Sequence, residues 1–259
     1  MKYVRRLTAE PARLANARSK CSDRQDRVPS SARHAWKRFR RDGDAYDELL
    51  KELAERQQGL CIYCEQRLTD DVGDIMGECY AIEHVIPKSE GQALDWTNLA
   101  LSCSGHGTGK EDLSCGAAKS NKRLPQGCDP RDFPVLPSVL TVGMDGRIEP
   151  DAPGCASAHI DEALLRETVD QVLNLNCERL RKSRQDAWRQ VTKHITDLLN
   201  CLSVGNVADA LLIGQMSEFV ESRLRPDDNG CLNAFWTTER FAIGTAAETW
   251  IAMNEQVLR

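Results

Sequence analysis

Four cysteines, a Glu-His pair, an asparagine and a lysine between residues 61 and 122 carry the chemistry legible in this chain. The stretch reads CIYCEQRL, then YAIEHVIPKS, DWTNLALSC and LSCGAAKSNK. Cys61-Ile-Tyr-Cys64 is a Cys-x-x-Cys pair, whose spacing brings two thiolates to one ion; Zn²⁺ takes four such ligands in a tetrahedron. The second pair is Cys103 and Cys115, eleven residues apart, as though a loop had been inserted into a second knuckle. Ligand geometry is local and loops are tolerated between ligands, so the site can still close. His106, inside the insertion, is an alternative ligand. Four protein ligands make a closed site that staples structure and does no chemistry. Glu83 and His84 are different in kind. A neutral imidazole titrates near neutrality and can take a proton from water. A carboxylate is a hard oxygen ligand for Mg²⁺ or Mn²⁺. Neighbours on a strand point to opposite faces, so this pair does not converge by itself.

The elements that must position these residues follow from periodicity. Ala32, Ala35, Trp36 and Phe39 lie at helical spacing from Ser31 onward, with Arg33, Lys37, Arg38, Arg40 and Arg41 on the other faces. Asp42-Gly43-Asp44 breaks that helix. A second one runs from Ala45 to Gln58, with Tyr46, Leu49, Leu50 and Leu53 on one stripe and Gly59 as its cap, and delivers the chain to Cys61. YAIEHVIP reads as a strand ended by Pro87, Asn98 opens the apolar run Leu99 to Leu101, and CGAAKSNKRL reads as a short helix. Trp96 reads as an anchor for the loop between the strands. Upstream, MKYVRR alternates like a short edge strand, and residues 12 to 33 read as a loop or weak helix. Downstream, residues 126 to 157 are rich in Pro and Gly, with a hairpin tip at Asp145-Gly146.

From Ile160 the chain reads as helical to its end. Leu164, Leu165, Val169, Val172 and Leu173 mark one helix; Leu180, Trp188, Val191, Ile195, Leu198 and Leu199 a longer one. Val207, Leu211, Leu212, Met216, Phe219 and Val220 mark a third, and Phe241 to Val257 a fourth. The expected class is α+β, mainly helical, in four segments: a basic arm with helices (1–59), the cysteine-bracketed finger (60–125), a Pro/Gly-rich connector (126–159) and a helical region (160–259).

Length and composition set the frame. A chain of 259 residues with 41% hydrophobic and 28% charged content buries a real core. It holds no apolar run of the length a membrane span needs. The basic start lacks the apolar stretch of a secretory signal, which points to the cytoplasm. There, eleven cysteines suit metal ligation and buried thiols better than a disulfide framework; Cys21, Cys79, Cys128, Cys155, Cys177, Cys201 and Cys231 read as small buried apolar residues. The net charge of −5 is unevenly spread: residues 1 to 41 hold thirteen Lys and Arg. That arm is suited to phosphate contact, with a solvated helix face as the plain alternative.

The order of motifs resembles the zinc-knuckle branch of the HNH nucleases, whose site is a two-strand, one-helix (ββα-metal) finger. The resemblance implies hydrolysis of a phosphodiester, with His84 as general base and Glu83 as a ligand of a catalytic Mg²⁺ or Mn²⁺. It implies that Asn98 pins the loop between the strands by side-chain to backbone hydrogen bonds, and that Cys61, Cys64, Cys103 and Cys115 hold structural zinc. The family usually has Asn, Asp or His directly after the last cysteine, then two residues, then Lys. Here Cys115-Gly116-Ala117-Ala118-Lys119 keeps the lysine but places a glycine, which ligates nothing, at the third position. Asn121, one turn further along, or a water would have to stand in as second ligand. Lys119 and Lys122 are candidates to hold the substrate phosphate as point charges, with ordinary helix surface as the alternative.

The MKYVRR start, CxYCE, IEHxxPKS, WxNLxLSC, the broken second knuckle and LNLN at 173 to 176 also resemble PtuB, the nuclease subunit of Septu-type anti-phage systems, some of which accompany retrons. That resemblance implies a nucleic-acid substrate, DNA ahead of RNA. It also implies an ATPase partner of the PtuA (SMC or ABC) type docked on the C-terminal helices. Two rivals remain. One is a zinc-stapled nucleic-acid-binding or scaffold module with a decayed site, supported by Gly116; the other is a zinc-dependent enzyme with an open site.

Overall fold

A computed structural model describes residues 1–20, 29–70, 72–77, 80–90, 93–107, 109–203 and 209–258, with the side chains of 29–31, 110, 201–203, 209, 210 and 212 left out. Cys21, Arg24, Arg27, Cys79 and Val207, and the side chains of Cys201 and Leu212, lie outside the described residues. Helices α1 (Ala12–Ser19), α2 (Pro29–Phe39) and α3 (Gly43–Arg56) precede an antiparallel pair, β1 (Tyr80–His84) and β2 (Leu99–Cys103), and the short helix α4 (Cys115–Lys119). A second hairpin, β3 (Leu140–Val142) and β4 (Ile148–Pro150), follows. Then come α5 (Ala152–Ser157), α6 (Glu162–Glu167) with a π turn at Thr168–Val172, α7 (Glu178–Ser203), α8 (Asp209–Leu224), α9 (Trp236–Ile243) and α10 (Thr245–Leu258). None of the described helices is long and apolar enough to cross a membrane.

One apolar cluster runs from Met1 through Leu180 and takes side chains from α2, α3, both strands, the β3–β4 hairpin and α6. Packing is therefore continuous across the finger's borders. A second cluster gathers Leu60, Val135, Leu224, Trp236 and Ile251 beneath the C-terminal helices. The four cysteines of the finger are buried, and so are Cys128, Cys155, Cys177 and Cys231.

Two elements differ from the sequence reading, and residues 12 to 19 take the weak-helix side of an open alternative. MKYVRR forms no strand: Met1, Val4 and Leu7 are the residues buried, a period of three that no strand has, and the segment lies as an extended strap. Val4 N donates to Pro130 O (3.3 Å) and Arg5 Nη2 to Val257 O (2.6 Å), tying the strap to the connector after the finger and to α10. Residues 12 to 19 are helical, although only Leu14 among them is buried. The expected fourth helix is two, broken at Gly244, whose φ of +77° only glycine adopts cheaply.

Candidate active site and metal centre

The cysteine centre starts with α3. Asp42 caps its first turn by accepting from Ala45 N (3.2 Å), and the helix ends in Gln57, Gln58 and Gly59. Gly59 has φ +73°, and a methyl group there would meet Thr69 Oγ1 at 2.5 Å, so the turn into the knuckle requires glycine. The buried Gln57 amide then locks the knuckle to β2. Its Nε2 donates to Leu60 O (2.8 Å) and Leu101 O (2.7 Å), and its Oε1 accepts from Leu101 N (2.6 Å). Ile62 N adds a bond to Leu101 O (3.0 Å). Cys61 and Cys64 thereby face Cys103, the last residue of β2, and Cys115, the first of α4.

The four sulfurs lie within 4.8 Å of one another, with Cys61–Cys115 at 3.9 Å and Cys64–Cys103 at 3.7 Å. A tetrahedron with metal–sulfur bonds of about 2.3 Å has sulfur–sulfur edges of about 3.8 Å. The centre therefore fits a zinc-sized ion held by four thiolates. His106 is exposed and stands outside this group, so the alternative ligand drops out.

How the eleven-residue insertion closes was not legible in the cysteine spacing. It is held from a distance by LNLN. Asn174, in the left-handed region at φ +46°, donates to Glu111 O and Leu113 O (both 2.8 Å), and Leu173 O accepts from Cys115 N (2.8 Å). Asn176 Oδ1 accepts from Ile148 N (2.9 Å), fixing LNLN to the second hairpin. Asn174→Ala should cost about 1–3 kcal/mol through two lost bonds. It should also speed zinc release to a chelator while leaving the zinc-loaded stoichiometry unchanged; release kinetics identical to wild type would contradict this.

Glu83 and His84 sit on β1 opposite Ala100 and Leu99 of β2. As alternation requires, they face different environments. His84 is 4% exposed, its ring edge-on to Trp36 of α2 with centroids 4.5 Å apart. Its Nε2 lies 2.9 Å from Ala93 O. A carbonyl only accepts, so Nε2 carries the proton and Nδ1 the lone pair, which meets Lys88 Nζ at 3.3 Å. Burial first, and the charge of Lys88 next, lower the His84 pKa from 6.5 to about 3. The imidazole is therefore neutral, with its basic nitrogen pointed at a cation.

The turn after β1 is organised by Asn98. Its Oδ1 accepts from Ile86 N (2.7 Å) and its Nδ2 donates to Ile86 O (2.9 Å), while Val85 N donates to Asn98 O (3.1 Å). Asn98 is 3% exposed, and Trp96 packs half-buried on the core beside it.

On the other face, Glu83 Oε1 accepts from Tyr63 OH (3.1 Å) and pairs with Lys119 Nζ (2.8 Å). Lys119 is 1% exposed and also donates to His84 O (3.0 Å). It is not on the helix surface; its ammonium is turned inward to β1. Lys122 is exposed and reaches Gln171 O (3.2 Å). Asn121 is exposed, past the end of α4, where Ser120 at φ +51° turns the chain away. Gly116 lies against the Glu83 carboxylate: a methyl group there would be 2.6 Å from Oε2 and 3.2 Å from Ser102 Oγ. A side chain at 116 would touch Glu83, and glycine offers no donor. As folded, these residues present a divalent ion with one carboxylate, already matched by a lysine, and so do not form a complete ion site.

Sequence reasoning passed over Tyr63, Lys88 and Trp36. Tyr63 lies between the knuckle cysteines and Lys88 inside the quoted PKS, so both were in view without a reason to assign them. Trp36 read as core, and the partner it packs on was not in the periodicity.

Residues 61–105 match the HNH endonuclease family. The chain is also 28% identical over 177 residues to an Escherichia coli protein named "Retron Ec83 putative HNH endonuclease", an alignment covering 58% of this chain and 69% of that one. With the Glu-His strand, the asparagine-pinned turn and three of the four centre cysteines inside that matched stretch, and Cys115 closing the centre just beyond it, the chain carries an HNH endonuclease domain and is an enzyme of the nuclease class.

Proposed function

We propose that the protein is an HNH endonuclease hydrolysing nucleic-acid phosphodiesters with His84 as general base, and that it serves as effector nuclease of a Septu-type anti-phage complex with a PtuA-like ATPase. The observation that carries the catalytic reading is the state of His84: neutral, with Nε2–H fixed on Ala93 O and Nδ1 left as the basic atom. A water placed at Nδ1 gives its proton to that nitrogen as its oxygen forms the new bond to phosphorus, and the bond to the leaving oxygen breaks. Lys88 lies across the approach to Nδ1 and is the cation best placed to receive a phosphate oxygen. A bound phosphate next to Lys88 would raise the basicity of His84 where it is needed. Glu83 is the carboxylate that would hold Mg²⁺ or Mn²⁺, an ion that would neutralise charge developing on the phosphate. Zn²⁺ is assigned to the four cysteines as a structural ion.

Exposed Arg33 and Lys37 lie on the helix whose Trp36 packs on His84, with exposed Arg40 and Arg41 in the turn just past its end, so they are the cations to meet substrate backbone beside the reacting atom. DNA is favoured, and RNA is the competing substrate. The similar protein is named for a retron, in line with the resemblance to Septu-type subunits on which the defence role is proposed; the C-terminal helices are the proposed docking face for the ATPase, and the cytoplasm the proposed compartment. A second reading, a binding module with a decayed site, draws on Gly116 and the Lys119–Glu83 pair.

The test is cleavage of supercoiled plasmid and of total RNA by the purified chain, alone and with the co-expressed ATPase. The proposed function requires cleavage of at least one substrate. Tight nucleic-acid binding without cleavage in either setting would favour the module.

A further inference from the structure

The cation beside Glu83 in this fold is a lysine of the chain itself. Lys119 Nζ is 2.8 Å from Glu83 Oε1 and 3.0 Å from His84 O, and the side chain is 1% exposed. Tyr63 OH adds a third contact to the same region, donating to Oε1 at 3.1 Å. Oε2 packs close against Gly116, where a methyl group would come within 2.6 Å of it and 3.2 Å of Ser102 Oγ. Among the described residues, the four cysteines are the one cluster of three or more His, Cys, Asp or Glu able to gather around an ion. Glu83 thus has its charge matched by a lysine on one oxygen, while the other lies against a glycine that brings no donor.

We propose that Lys119 is the resident counter-ion of Glu83 and keeps the divalent-ion site closed, so that ion loading requires its ammonium to leave the carboxylate. The inference rests on the nuclease reading only in taking Glu83 as the ion's ligand. A divalent ion and a buried ammonium cannot share one carboxylate at these distances without strong repulsion. Lys119 is the last residue of α4, and Ser120 at φ +51° ends that helix immediately after it. Release of Lys119 therefore needs movement of one short helix end, while Cys115 at the other end stays fixed by the cysteine centre. A nucleic-acid phosphate arriving at the site is the chemistry suited to draw the ammonium away, since it offers Lys119 another anion as the ion takes Glu83.

Mn²⁺ binding to the zinc-loaded full chain, read by loss of the free-ion EPR signal, tests this. Wild type should bind weakly. Lys119→Met, which keeps the stem and removes the charge, should bind roughly tenfold more tightly or better, and Lys119→Met/Glu83→Gln should lose that gain. Lys119→Gln, which retains a donor for His84 O, should show the same gain and guards against a folding defect in the first variant. Zinc content and melting temperature report folding in each case. If both folded Lys119 variants bind Mn²⁺ no more tightly than wild type, the closed-site inference is overturned. These outcomes are independent of cleavage: a His84-dependent nuclease with no Mn²⁺ gain sinks Lys119 alone, and a Mn²⁺ gain without cleavage sinks the nuclease reading alone.

Discussion

Cys115→Ser is expected to leave the purified protein without its zinc and to lower its melting temperature by about 10 °C or more, equivalent to some 3 kcal/mol at least in a chain of this size. The magnitude follows from what the centre joins. Cys61 and Cys64 follow α3, Cys103 ends β2 and Cys115 begins α4, with sulfurs 3.7 Å apart in Cys64–Cys103 and 3.9 Å in Cys61–Cys115. With one ligand missing, three buried thiols that had shared an ion would be left to face one another, and α4 would lose its anchor. Because α4 carries Lys119 and Gly116 against Glu83, the catalytic face should loosen with it. Metal analysis and thermal melting on wild type and variant check this. A variant that retains one zinc per chain and melts with wild type would show that the thiols are merely buried.

His84→Ala is expected to reduce cleavage by about 10²–10⁴-fold while zinc content is unchanged, the span over which a positioned general base acts. The pH profile adds a sharper signature. The lowered pKa, about 3, means the imidazole stays deprotonated as pH falls below the 6.5 of an ordinary histidine. Loss of base function through protonation would begin only well under that value. The free-enzyme profile, kcat/KM against pH, should therefore show no half-loss centred near 6.5. An acid limb that moves to higher pH in a Lys88→Ala variant would show that the Lys88 charge helps hold the His84 pKa down.

The parts of the site legible in the sequence are those set by local spacing. Cys-x-x-Cys, the strand around Glu83-His84, the turn at Asn98 and the α3 stripe each depend on neighbours within a few residues. The residues that were not legible depend on packing between distant segments. Trp36 reaches His84 only because α2 folds back over the turn after β1. Lys119 read as a phosphate-holding lysine or plain helix surface, and not as a buried partner of Glu83, because a five-residue helix has no periodicity to report which face is covered. LNLN was visible as a motif, but its task, bonding Cys115 N and the insertion carbonyls, belongs to a contact some sixty residues away in sequence. MKYVRR misled because alternation of apolar and basic residues also suits a strap that buries every third side chain.

The measurement that decides the catalytic role of His84 is cleavage of plasmid DNA and total RNA by zinc-loaded wild type and zinc-loaded His84→Ala, each with Mg²⁺, Mn²⁺ or EDTA, with and without the proposed ATPase partner. The account predicts cutting of at least one substrate by wild type with added ion, its disappearance in EDTA, and its near-absence in His84→Ala. Cutting that survives in the folded His84→Ala protein would contradict it, because Nδ1 of that residue is the base on which the proposed chemistry rests.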